Sequence, residues 1–243
     1  MNPRFKAPAK LIVVAALGML AGRSVVADVL DKRANVNGAV VEYKVVLPKD
    51  YDPAKTYPGV LAFPGGGQAM NSVEGTVERH WRDEASRRGY IVVVPTAPFG
   101  MLFFEGGDRI FPAFITKILS DYKIQNNKLH IAGVSNGGIS AFHIAASYPQ
   151  YFLSVTGFPG YLPDATPTRV RALAKMCINM HVGELDTGWL EGMKRQADEF
   201  RAQGFTVRFT VEKGQHHRLE TFENEGAARF FNQFEEARKG CGK

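Results

Sequence analysis

LHIAGVSNGGISAFHIAASY, residues 129–148, decides the fold. Its first six residues are mostly apolar and read as a strand. Its last dozen are small and apolar at helical spacing, with Pro149 as a stop. Between them Gly133-Val134-Ser135-Asn136-Gly137 fits G-x-S-x-G, the sharp strand-to-helix turn that lifts a serine above the end of a sheet. Glycines on either side let strand and helix approach without Cβ collisions. The pattern alone recurs by chance; a strand running in and a helix running out give it weight.

Outward from this stretch, short apolar runs alternate with helical ones. Strands are expected at 40–47, 59–63, 90–94, 152–157, 176–182 and 206–211, and helices at 76–88, 111–122, 168–175, 189–203 and 219–239. Tyr90–Val94 (YIVVV) is nearly all apolar, as in a strand covered on both faces. Strand–helix alternation predicts an α/β fold, a mostly parallel central sheet with helices on both faces, in one domain over residues 28–243. No segment is long enough for a large lid domain. The loop from Ala97 to Pro112, rich in Phe and Gly, is long for a compact domain and a candidate functional loop.

A serine hydroxyl is a weak nucleophile until a base takes its proton, and the base needs a carboxylate to orient it. The expected chain order is Ser, acid, His. Strand 176–182 runs into Gly183-Glu184-Leu185-Asp186, and strand 206–211 into Gly214-Gln215-His216-His217. Asp186 is the favoured acid, with Glu184 and Asp164 as competitors. His217 is the favoured base, with His216 as the alternative or as a wall of the substrate site. His80, His130, His143 and His181 fall inside helices or strands, where structural roles are expected. Two adjacent histidines without a third ligand do not make a metal site, so no metal is expected.

Negative charge on the attacked carbonyl oxygen needs waiting N–H donors. One is expected from Asn136, the other from Pro64-Gly65-Gly66-Gly67-Gln68, with Gly66 ahead of Gly67. The triple glycine lacks the Lys-[ST] of a phosphate loop, which argues against a nucleotide site. Phe103, Phe104 and Trp189, with Phe99 and Phe111, are candidates for an apolar acyl or aryl pocket.

Residues 1–27 read as an export signal. Arg4, Lys6 and Lys10 precede the 12-residue apolar run Leu11–Gly22, and Val25-Val26-Ala27 ends in small residues. That run is shorter than the roughly 20 residues a membrane span needs, so no stable membrane anchor is expected after cleavage. The destination is periplasmic or secreted. The chain of 243 residues carries +6, and the signal holds four basic and no acidic residues, leaving 26 basic against 24 acidic. Near-neutral charge without a basic aromatic patch argues against a nucleic-acid partner. Export permits a disulfide between Cys177 and Cys241; a buried Cys177 with a free, exposed Cys241 is the other reading.

With these residues in place, the chain resembles exported serine esterases of the α/β-hydrolase fold over about residues 35–238. Gly133–Gly138, Ala145-Ala146-Ser147-Tyr148-Pro149 and Phe158-Pro159-Gly160 are most similar to the branch of polyhydroxybutyrate depolymerase-like and feruloyl or acetylxylan esterase-like enzymes. The resemblance implies carboxylester hydrolysis through an acyl-enzyme, without a cofactor, on small or polymeric esters: short-acyl, cinnamoyl-type or polyester. It carries Ser135, Asp186 and His217 over as the triad. The chain departs from many relatives in having Pro64-Gly65 for His-Gly, and His216 for a glycine before the catalytic histidine. The same parts would serve a serine peptidase, and a hydrolase scaffold also supports a non-catalytic binding protein. Natural substrate and oligomeric state are not legible.

Overall fold

The computed structural model describes residues 28–241; the export signal expected over residues 1–27 lies outside them. Eight strands form one sheet in the order β1-β2-β4-β3-β5-β6-β7-β8. They are β1 (Val29–Val36), β2 (Ala39–Val46), β3 (Tyr57–Phe63), β4 (Ile91–Pro95), β5 (Ile124–Gly133), β6 (Phe152–Gly157), β7 (Cys177–Gly183) and β8 (Val207–Glu212). β1 and β2 form an antiparallel hairpin, and β2 also runs antiparallel to β4. All later pairings are parallel.

Side-chain alternation sorts β3 and β4 between two cores. Leu61, Phe63, Ile91 and Val93 face one side, and Val60, Ala62, Val92 and Val94 the other. Helices α1 (Met70–Thr76), α2 (Arg82–Arg88) and α7 (Ala228–Arg238) cover the second face, where Trp81, Phe158, Phe230, Phe231 and Phe234 pack together. Helices α3 (Ala113–Asp121), α4 (Asn136–Ser147), α5 (Pro167–Ala172) and α6 (Thr187–Ala202) cover the first. Each fully buried large side chain contributes roughly 1.5–3 kcal/mol. These two aromatic-rich layers fix the sheet as a rigid platform.

Parallel register aligns the strand ends. Phe63 pairs with Gly133, Gly133 with Gly157, and Gly183 with Glu212. The loops leaving β3, β5, β7 and β8 therefore share one edge. The chain passes from β3 out to β4 and returns to β5 on the other side of β3. That reversal opens a crevice at the carboxyl ends of β3 and β5, where open α/β sheets bind ligands.

The structure departs from expectation in three elements. β1 was not anticipated; Asp31, Lys32 and Arg33 are exposed on it, charges that suit an edge strand. The first long helix begins earlier, at Met70, and widens into a π-turn over Val77–Trp81 that buries His80 and Trp81. The expected helix over 219–239 is two 3₁₀ turns (Glu220–Phe222 and Asn224–Ala227) before α7, with Asn224 left-handed at φ 52°. Cys177 and Cys241 pair, with Cα atoms 5.5 Å apart, and tie the end of the chain to the start of β7.

Candidate active site

Ser135 stands between β5 and α4 at φ 58° and ψ −123°, a strained conformation for a residue with a Cβ. Its neighbours hold it there. Ser135 N–H donates to Pro159 O at 2.9 Å, and Gly137 N–H to Val134 O at 2.8 Å. A Cβ on Gly133 would collide with the Gly137 carbonyl, and one on Gly137 with the Phe63 carbonyl, so the turn fits between β3 and β5 only with glycine at both places.

The histidine and the acid arrive on loops bonded to each other. Leu185 N–H donates to Gln215 O at 2.9 Å, Glu184 N–H to Glu212 O at 3.0 Å, and Gly214 N–H to the Glu184 carboxylate at 2.9 Å. Glu184 therefore fastens the histidine loop and does not touch imidazole. Asp186, at the start of α6, meets His217 Nδ1 with Oδ2 at 2.7 Å, and His217 Nε2 lies 2.8 Å from Ser135 Oγ. With Nδ1–H donating to Asp186, Nε2 presents its lone pair to the serine proton. The structure thus brings Ser135, Asp186 and His217 together. His216 is exposed beside them, and Asp164 lies in the loop before α5.

Burial around this relay is graded. The Asp186 side chain is 12% exposed and that of His217 43%, so the acid is sheltered and the imidazole reachable. Behind the loops, Glu212 is buried against Arg229, at 2.7 and 2.8 Å, and the hydroxyls of Thr210 and Thr221. Burial pushes its carboxyl up; the Arg229 bonds and the hydroxyls outweigh it, and the net shift is below the ordinary value.

Two backbone segments near Ser135 carry free donors. Among the described residues, the N–H groups of Gly65, Gly66, Gly67 and Asn136 have no acceptor. Residues 65–68 form a tight turn closed by Gln68 N–H to Gly65 O at 3.3 Å, with Gly66 at φ 62°. Gly66 O accepts from Asn136 Nδ2 at 2.9 Å. In a trans peptide the carbonyl and the following N–H point oppositely, so the Gly67 N–H is turned away from the Asn136 side chain. The Gly65 carbonyl faces into the turn, which turns the Gly66 N–H outward. A Cβ on Gly65 would lie 3.5 Å from Ser135 Cβ, which shows how near this turn sits to that side chain. The amino end of the 12-residue α4 adds a dipole favouring negative charge at the same point.

The pocket candidates divide. Trp189 stands beside His217, ring centroids 5.1 Å apart, and Tyr161 packs on Trp189 at 5.3 Å. Both line a groove of about 400 Å³ with Leu162, Asp164, Arg195 and Gln196. Phe104 is half-buried. Phe103 is corrected: it is fully buried, packed on Phe63 at 4.9 Å and Phe111 at 5.8 Å, and belongs to the core. A second cavity of about 230 Å³, lined by Gly59, Lys128, His130 and Arg238, lies toward the opposite ends of the strands. Sequence reading passed over Gln68 and Ser140, whose side chains meet at 2.8 Å beside the 65–68 turn. Glutamine directly after a glycine run was the available signal.

Comparison with solved structures places the chain in the α/β-hydrolase fold. It superposes on a thermostable esterase with TM-score 0.68 and 20% identity, over 84% of this chain and 62% of that one. A serine-to-alanine mutant of the feruloyl esterase module from Clostridium thermocellum, complexed with sinapinate, gives TM-score 0.63 and 16% identity, over 79% and 82%. An S-formylglutathione hydrolase from Agrobacterium tumefaciens gives 0.60 and 17%, over 87% and 94%. No family model matches the chain. Among curated proteins, dipeptidyl-peptidase 5 of Porphyromonas gingivalis is 27% identical over 133 residues, 48% of this chain and 19% of that protein. The chain thus spans only a small part of the curated relative it matches. Among the described residues no helix is long and apolar enough to cross a membrane.

Proposed function

We propose that this chain is an exported serine carboxylesterase working as one α/β-hydrolase domain over residues 28–243. The observation that carries this is the hydrogen-bonded relay Ser135–His217–Asp186, with 2.8 and 2.7 Å links, beside two segments with free N–H donors. His217 Nε2 takes the Ser135 proton as Oγ attacks the ester carbonyl. The Gly66 and Asn136 amides hold the oxyanion. His217 returns the proton to the leaving alcohol, and a water then repeats the sequence on the acyl-enzyme. Asp186 keeps the imidazole in the right tautomer and stabilises its charged form. Every step is supplied by side chains and backbone, so the chemistry requires no cofactor.

Short-acyl, cinnamoyl-type and polyester substrates fit this reading. Trp189 beside His217 and the Tyr161 wall favour a flat or apolar group, and likeness to a feruloyl esterase module points the same way. A second reading, acyl transfer from peptides, draws on the similarity to dipeptidyl-peptidase 5. Hydrolysis of p-nitrophenyl esters from acetate to palmitate, of ferulate esters and of dipeptide anilides by the wild type and Ser135→Ala tests both. Ester turnover lost with Ser135→Ala supports the esterase. Anilide turnover without ester turnover moves the assignment to a peptidase. Full activity in folded Ser135→Ala refutes both.

A further inference from the structure

Gly66 and Asn136 belong to segments far apart in sequence, and an oxyanion hole works only if both amides aim at one point. A closed ring of bonds joins them. Asn136 Nδ2 donates to Gly66 O at 2.9 Å, and Asn136 O accepts from Ser140 Oγ at 2.9 Å. Ser140 Oγ accepts in turn from Gln68 Nε2 at 2.8 Å. Gln68 continues through Gly67 to Gly66 along the main chain, which completes the circuit. The other end of the carboxamide is also engaged: Gln68 Oε1 accepts the Phe103 N–H at 3.1 Å. Gln68 O accepts the Ala97 N–H at 2.9 Å, so the 97–112 loop is fastened to the same residue.

Gln68 is fully buried and left-handed at φ 55°. Packing alone does not ask for this residue: an apolar side chain of the same length fills the space without losing hydration. What glutamine brings is one donor end and one acceptor end. The Ser140 hydroxyl has a single proton, already given to Asn136 O, so its other partner must be a donor.

We infer that Gln68 is a positioning residue for the oxyanion hole. Through Ser140 it holds the Asn136 carbonyl, one Cα beyond the Asn136 N–H, and through the main chain it holds the Gly66 turn, so the two residues that carry the N–H groups keep their mutual placement as charge develops. The inference rests on the acyl-transfer reading above. Gln68→Met keeps length and removes both side-chain bonds. Gln68→Glu offers an acceptor where a donor is needed, draws the Ser140 proton to the new carboxylate and releases Asn136 O. Ser140→Ala removes the node with a small, helix-compatible change. Gln68 and Ser140 are fully buried, so the expected effect falls on the transition state and not on ground-state binding.

The test compares the wild type with the three variants by steady-state ester hydrolysis, thermal unfolding and inhibition by an alkyl trifluoromethyl ketone. Ser135 Oγ adds to the ketone carbon, its proton passes to His217 Nε2, and the carbonyl electron pair becomes an alkoxide in the hole. Misaligned donors lower kcat by about ten- to a hundredfold with KM changed less than about threefold, and weaken the ketone by the same factor. Wild-type kcat and ketone affinity in folded Gln68→Met or Ser140→Ala overturn the inference. So does a loss of activity that follows thermal stability and disappears on cooling. Should Gln68→Met not fold, Ser140→Ala decides alone. A wild type inactive on esters and peptides overturns the acyl-transfer reading itself, a result distinct from an active wild type with unaffected variants.

Discussion

Acidification from pH 7 to pH 5 should remove about 6 kcal/mol of stability through three histidines outside the relay. His80, His130 and His181 are 5%, 1% and 0% exposed. Their ring nitrogens meet the Phe222 carbonyl at 3.1 Å, Ser154 at 2.8 Å, and Thr210 at 2.6 Å with Gln233 at 3.2 Å, respectively. Burial pushes their pKa values down from 6.5 to about 4, about 3 and about 4. In the unfolded chain the same imidazoles bind protons below 6.5. Between the two values the unfolded state carries more protons, so their contribution is complete above pH 6.5 and is lost as pH falls through the folded values. At pH 5 the difference is about 2 kcal/mol per histidine. The total rivals the 5–15 kcal/mol that holds a typical domain folded. Urea unfolding at pH 7 and pH 5 measures it. His130→Gln should take about 2 kcal/mol out of the pH difference, whatever it does to stability at pH 7. Equal unfolding free energies at the two pH values refute the reasoning.

Asp186→Asn should lower kcat by about 10³–10⁴ with little change in KM, because the imidazole loses its tautomer; a loss below tenfold in an ester assay removes Asp186 from the relay. Gly137→Ala drives a Cβ into the Phe63 carbonyl and should cost about 1–3 kcal/mol or more, read as a fall in Tm. Reducing Cys177–Cys241 opens a closure across 64 residues and should cost about 4 kcal/mol in urea unfolding with and without dithiothreitol. Trp189→Ala should raise KM for aryl esters several-fold while sparing acetate, if the ring beside His217 forms the substrate wall; a uniform effect on both rejects that wall.

The strand–turn–helix around Ser135 was legible because three local signals agreed: an apolar run, glycines at fixed offsets and a small-residue helix. The contact of Asp186 with His217 was legible from its place just past a buried strand. The choice between His216 and His217 was not, since adjacent side chains diverge and their direction is set by the Glu184 bond to Gly214, 30 residues away. Phe103 misled because a loop phenylalanine looks alike whether it lines a pocket or fills a core. β1 was hidden by its run of three charges, although Asn37-Gly38 after it is a strong hairpin signal. The last helix was overextended because nothing local marks Asn224 as left-handed. The bond between Gln68 and Ser140 spans 72 positions, beyond any window of local pattern.

The disulfide has a topological consequence. Residues 177–241 form a covalent ring that contains Asp186 and His217 but not Ser135. A protease cut anywhere inside that ring, in α6 or in the histidine loop, leaves the new ends on one molecule. Asp186 and His217 then stay tethered to the segment that carries Ser135, and nicked protein migrates as a single species until a reductant parts it.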